Sequence, residues 1–214
     1  MRAVGSAEEW IGILDSMVPQ ILGMIVGTWE SQPIRGTEIR EDPITEKLCR
    51  ALRQSRTSSE LPLTIHLQMV ELDPAEGETQ GRLDIVLSPL AAREDIYFCL
   101  ECKRLNVVDR DGTIRPYASE YVTEGMFRFI RGRYASRVRQ AGMLGYVLNG
   151  DIANAIQRVT NAINTHVQEL GMSTASGLST SVVMPSDGRF RETTHSRPHS
   201  ADTFRIHHIF LPAN

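Results

Sequence analysis

The chain has 214 residues and a formal net charge of −3, enough length for one domain with a full hydrophobic core. Its 41% hydrophobic and 23% charged content is that of an ordinary soluble globular protein. The slightly acidic balance excludes a global drive toward nucleic acid, so any polyanion contact must come from a local basic patch. Three cysteines, Cys49, Cys99 and Cys102, exclude a disulfide scaffold.

In chain order, residues 6–30 read as a helix. Ser6 caps it, Glu8 and Glu9 suit its dipole, and Trp10, Ile13, Leu14, Val18, Ile21, Leu22, Ile25 and Val26 recur at helical spacing. Pro19 is expected to bend or split it, and its apolar stripe is read as core or as a dimer face. The apolar run from Trp10 to Trp29 is interrupted by Asp15, Pro19 and Gln20, too broken for a membrane span. With no signal peptide in view, a cytoplasmic location and no membrane partner are expected.

A polar connection with Pro33 and Gly36 leads to a second helix from about Asp42 to Arg53. Asp42 is its expected N-cap, Pro43 its first position, and Ile44, Leu48, Ala51 and Leu52 its buried stripe. Strands are expected over 63–72, 82–87 and 96–105. A polar loop over 106–119, a helix over 120–133, a buried strand over 142–148 and a long helix over 151–170 follow. Two last strands, about 178–184 and 203–211, bracket a loop rich in Ser, Thr, His and Arg. This order predicts an α/β (α+β) fold with a mixed central sheet flanked by helices. Residues 1–37 are expected to form an N-terminal helical extension and residues 38–214 the main domain.

The chemistry is concentrated in Arg82-Leu83-Asp84-Ile85-Val86-Leu87 and Phe98-Cys99-Leu100-Glu101-Cys102-Lys103. Charged residues inside apolar strands are costly unless paired or bound to metal. Alternation puts Glu101 and Lys103 on one face of their strand, with Leu100 and Cys102 on the other. If the two strands pair, Asp84 and Glu101 converge at one end of the sheet. Two hard oxygen ligands there suit Mg²⁺ (or Mn²⁺), and Lys103 beside them can orient a water or stabilise phosphate charge.

The spacing of Asp84, Glu101 and Lys103 resembles the PD-(D/E)XK nuclease superfamily, with Leu83 standing where the motif's name has proline. The element order is similar to that superfamily's αβββαβ core over roughly residues 38–150. The resemblance implies a restriction-endonuclease-like domain and a metal-dependent nuclease acting on DNA rather than RNA, in bacterial anti-phage defence or DNA processing. It implies that Asp84 and Glu101 bind the metal, with the carbonyl of Cys102 as a further ligand, and that Lys103 positions or activates the water. The superfamily often adds an acid from the helix before the strands. At about 100° per residue, Glu41 lies on the stripe of Ile44 and Leu48 whereas Glu46 faces away, so Glu41 is preferred over Glu46 and Glu38. The competing reading is that Glu41 only complements its helix N-terminus.

Arg104, Arg128, Arg131 and Arg133 follow the motif and are expected to contact nucleic acid, the alternative being a solvated helix face. No DNA-reading module is evident, so a homodimer or a partner protein of a defence system is expected to supply specificity. The alternative function is a catalytically inactive nuclease-fold subunit used for assembly or nucleic-acid binding. Cys99-x-x-Cys102 is discounted as a metal pair because its thiols point to opposite faces of a strand. His195, His199, His207 and His208 are discounted because two are expected in a flexible loop and two are adjacent on a strand.

Overall fold

In the computed structural model, which describes residues 5–31, 40–58, 60–90, 95–173 and 177–213, the chain is a mixed α/β structure. Helices α1 (Ala7–Ser31) and α2 (Glu41–Ser58) precede strands β1 (Leu63–Val70), β2 (Arg82–Pro89) and β3 (Phe98–Leu105). A small hairpin, β4 (Val107–Val108) and β5 (Ile114–Arg115), leads into α3 (Ala118–Tyr121), a π-helical turn (Val122–Met126) and α4 (Phe127–Ile130). Then come β6 (Gln140–Val147), α5 (Ile152–Asn164), β7 (Ser179–Thr180), β8 (Phe190–Arg197) and β9 (Ser200–Pro212).

Seven strands form one sheet in the order β1-β2-β3-β6-β9-β8-β7. β1, β2 and β3 are antiparallel; β6 runs parallel to both β3 and β9; β8 and β7 return antiparallel. Each face is covered, as parallel central strands require. On one side α1 and α2 bury Leu22, Ile25, Ile44 and Leu48 against Ile85, Leu100 and Tyr146. On the other, Tyr121, Phe129 and Val159 pack against Cys99, Met143 and Phe210. At the sheet's first edge, Arg53 and Arg56 of α2 donate to the carbonyls of Ile65 and Leu63 on β1.

Ser6 caps α1 as expected. Its hydroxyl accepts the Glu9 amide at 3.3 Å while the Glu9 carboxylate accepts the Ser6 amide at 2.7 Å, a reciprocal capping box. Pro19 does not split the helix. It lies on the exposed side, so the Asp15 carbonyl that loses an amide partner is turned toward water. By length and composition α1 would suffice to cross a membrane, contrary to the reading of a broken run. Leu14, Val18, Ile21, Leu22 and Ile25 are nonetheless buried in the core, Trp29 stacks on Tyr146 at 5.5 Å, and its indole donates to the Pro212 carbonyl at 2.8 Å.

The other departures have local causes. α2 starts at Glu41, one residue before its expected first capping position; the connection with Pro33, Gly36 and Glu38 lies outside the described residues. The expected loop 106–119 contains β4 and β5 around a turn in which Gly112, at φ +84°, donates to the Asp109 carbonyl at 3.0 Å. α5 ends at Asn164 rather than 170, and the following turns bring Gly171 (φ +62°) against β8, where a Cβ would lie 2.0 Å from the Ser196 carbonyl oxygen.

The expected Ser/Thr/His/Arg loop is mostly strand. Glu192, Thr193, His195 and Arg197 within it are buried, and His195 lies on β8 rather than in a loop. The His195 Nδ1–H donates to the Leu170 carbonyl and its Nε2 accepts from the Thr193 hydroxyl at 2.7 Å. That hydroxyl accepts from His208 Nε2 at 2.8 Å, and His208 Nδ1 accepts from Tyr121 at 3.0 Å. One neutral chain thus joins β8, β9 and α3.

Burial holds His195 and His207 down to about 4, well below the ordinary histidine value. Unfolded, they titrate near pH 6.5. Their contribution to stability is therefore full above that pH and is lost as pH falls toward 4. The Glu101 carboxyl, pushed up to about 8, carries the opposite sign. In a Glu101→Gln background, unfolding by denaturant is expected to give a lower stability at pH 5 than at pH 7.5. Equal stabilities would contradict neutral burial of these imidazoles.

Candidate active site

The β2–β3 ladder runs only from Leu87↔Phe98 to Ile85↔Leu100. Beyond it the strands part, and a side chain replaces the backbone bond: Asp84 Oδ2 accepts the Cys102 amide at 2.7 Å. β3 continues in parallel register with β6 from Leu100↔Gly142 to Leu105↔Val147. Glu101 and Lys103 therefore stand where β3 has lost one neighbour and kept the other.

Alternation on β3 follows the sequence reading. Leu100 and Cys102 enter the α1–α2 side of the core, and Cys99 enters the opposite side. Glu101 and Lys103 share the face covered by the π-helical turn. There Gly125 lets the helix approach, since a Cβ would lie 2.5 Å from Met143 Cε and 3.7 Å from Lys103 Cγ. One turn on, Arg128 Nη1 donates to Glu101 Oε1 at 2.7 Å and to the Tyr134 hydroxyl at 3.1 Å. Neither the π-helical turn nor this use of Arg128 has a sequence signal; a turn of that kind is common at functional sites.

From α2, Glu41 reaches the same place. Its Oε1 accepts from Lys103 Nζ at 3.2 Å and its Oε2 from the Arg104 amide at 3.0 Å, while Glu46 is exposed. Glu41, Asp84, Lys103, Arg104, Arg128 and Arg133 line one cleft of about 490 Å³, together with Gln68, Arg82, Tyr117 and Tyr134. Arg131 is not among the lining residues; its guanidinium sits 4.8 Å above the Phe127 ring. Gln68 and Tyr117 hold φ of 52° and 51°, left-handed conformations that cost about 1–3 kcal/mol each and cluster at functional sites.

Glu101 is fully buried (0% exposed) and Lys103 nearly so (9%). Burial first, and then the nearby Asp84 carboxylate, push the Glu101 carboxyl up to about 8 against the pull of Lys103 and Arg128. Burial also raises Asp84, eased by Lys103 and by the Cys102 amide. Burial works against the Lys103 ammonium, yet Glu101, Glu41 and Asp84 hold its pKa above the ordinary lysine value. Lys103 is thus a cation and a hydrogen-bond donor in this state.

The donors suit a hard divalent cation: three carboxylates and the carbonyl of Cys102, all oxygen. Glu101 Oε2 is buried and has no hydrogen-bond partner among the described residues, a vacancy in bonding that a cation would fill. As the side chains stand, no three His, Cys, Asp or Glu residues among those described converge to hold a metal. The carboxylates meet through Lys103 instead, by ion pairs of 2.7 Å to Glu101 and 3.2 Å to Glu41. A scan against protein-family models and searches of curated proteins and solved structures find no match to this chain.

Glu41 and Glu46 make a direct comparison. For the metal-dependent nuclease that the sequence leads one to expect, Glu41→Gln is expected to lower turnover at least about tenfold, since a carboxylate that helps hold the metal or orient the attacking water acts mainly in the transition state, with a smaller effect on substrate binding. Glu46→Gln is expected to be silent. Saturating kinetics on both variants check this, and damage from Glu46→Gln alone would reverse the assignment.

Proposed function

We propose that the protein is a metal-dependent nuclease that hydrolyses phosphodiester bonds of DNA on a restriction-endonuclease-like core. One observation carries the reading: Asp84, Glu101 and Lys103 gather with Glu41 where β2 leaves β3, with Glu41, Asp84 and Lys103 lining a cleft and Glu101 buried beside them, one of its oxygens unbonded among the described residues. The succession α2, antiparallel β1-β2-β3, a helical crossover and parallel β6 supports the same reading, since it is similar to the αβββαβ order of the PD-(D/E)XK superfamily.

In this proposal Asp84, Glu101, the Cys102 carbonyl and Glu41 would hold Mg²⁺ or Mn²⁺. Such an ion would supply Lewis acidity to a phosphoryl oxygen and would ease deprotonation of the attacking water. The chain's own residues do the rest. Asp84 is fixed by the Cys102 amide and Glu101 by Arg128, so both carboxylates enter the reaction already oriented. Lys103 donates hydrogen bonds to the attacking water or to the non-bridging oxygens, where charge accumulates. Arg104 and Arg133 on the cleft walls would contact flanking phosphates. DNA as substrate, and a role in anti-phage defence or DNA processing with a second copy or partner protein, follow from the resemblance.

Purified protein incubated with plasmid, single-stranded DNA and RNA, with and without Mg²⁺, tests this. Metal-dependent nicking or linearisation of DNA is expected. Folded protein that cleaves none of the substrates with Mg²⁺ or Mn²⁺ would overturn the proposal and leave an inactive nuclease-fold subunit as the reading.

A further inference from the structure

Lys103 Nζ makes three hydrogen bonds: to Glu101 Oε1 at 2.7 Å, to the Cys102 carbonyl at 2.8 Å and to Glu41 Oε1 at 3.2 Å. An ammonium has three donors, so all are used. These acceptors are three of the four oxygen groups that the nuclease reading assigns to the metal, Asp84 being the fourth. We infer that the Lys103 ammonium is a built-in stand-in for the divalent cation, occupying its oxygen cage in the metal-free protein and being expelled into the cleft when metal binds. The inference rests on the nuclease reading above and adds a competition to it.

Two features support an exchange rather than coexistence. A primary ammonium and a divalent ion sharing the same oxygens would repel at a few ångströms, where water screens little. And Glu101 and Glu41 both accept from Lys103, while no three His, Cys, Asp or Glu side chains among the described residues stand close enough to hold a metal, as a cage gathered around an ammonium would have it. An exit exists: Lys103 already lines the cleft, so its ammonium can swing into it without displacing another side chain from the cage. Arg128 keeps its own bond to Glu101 Oε1, so that carboxylate stays oriented while the lysine leaves. Metal binding would thereby deliver the ammonium to the place where a phosphate arrives, and a protein without metal would present no free lysine there.

The competition is measured without nucleic acid or turnover, by titrating the full-length protein with Mn²⁺ and following free Mn²⁺ by electron paramagnetic resonance. Lys103→Met is expected to bind Mn²⁺ at least about tenfold more tightly than wild type, because a competing charge inside the cage is gone. Arg133→Gln removes a charge from the same cleft but not from the cage, and is expected to change affinity less than about threefold under physiological salt. If Lys103→Met does not fold without metal, Lys103→Gln, whose amide can still donate to Glu101, gives the same comparison. Wild type that binds Mn²⁺ with Lys103 variants equal or weaker overturns the stand-in while leaving the nuclease reading intact. Equal tightening by Arg133→Gln overturns it as well, since general charge would then explain the effect. Absence of Mn²⁺ binding by every protein, with no cleavage, overturns both.

Discussion

Glu101→Gln is expected to reduce DNA cleavage at least about a thousandfold, since a lost metal ligand forfeits several kcal/mol of transition-state stabilisation and each 1.36 kcal/mol is tenfold in rate. Folding should survive. The substitution keeps the shape of a side chain that is fully buried. Burial already pushes the Glu101 carboxyl up to about 8, so a neutral amide suits the metal-free site nearly as well as a carboxylate. The melting temperature in EDTA is expected to stay within about 4 °C of wild type, the shift that about 1 kcal/mol produces in a domain of this size. Asp84→Asn and Lys103→Met should lose turnover to a similar degree for different reasons: the first removes a ligand charge, the second the donor to the reacting oxygens. Single-turnover rates measured beside thermal melts decide the matter, and wild-type rates in any of the three folded variants would refute the assignment.

Metal identity gives the second large effect. Turnover is expected with Mg²⁺ or Mn²⁺ and none above background in EDTA, while Ca²⁺ is expected to support DNA binding without cleavage. All the donors are oxygen, so each of these ions can enter. Ca²⁺ takes oxygens at about 2.3–2.6 Å in loose geometry, against about 2.0–2.1 Å and near-octahedral geometry for Mg²⁺, and so misplaces the reacting oxygens. Cleavage that persists in EDTA, or that Ca²⁺ supports as well as Mg²⁺, would rule out the proposed chemistry.

The candidate site was legible in the sequence because its residues break local rules. Asp84, Glu101 and Lys103 are charged where strand patterning calls for apolar side chains, and helical phase separates Glu41 from Glu46. What was not legible depends on distant partners. Nothing near Arg128 announces that it turns onto Glu101 rather than into solvent. The polar run over 185–202 reads as a loop until Thr193, His195 and His208 are seen to satisfy one another and Arg197 to donate to the carbonyls of Ala135 and Val138. Pro19 misleads in the other direction, because the cost of a proline depends on whether the freed carbonyl faces water. The β4–β5 hairpin had a signal, Asp111-Gly112, that turn chemistry could have used.

The two α2 arginines that reach β1 bear on how copies of this protein can associate. An open strand edge recruits other strands through its bare carbonyls and amides, the usual route to continuous intermolecular sheets and to aggregation. Here the carbonyls of Leu63 and Ile65 are already occupied by Arg56 and Arg53, and a strand arriving from another molecule would have to evict both guanidinium groups. The far edge is β7, two residues long, which offers little length to extend. In a homodimer of the proposed nuclease, pairing along this end of β1 is therefore disfavoured relative to contacts through helices or loops.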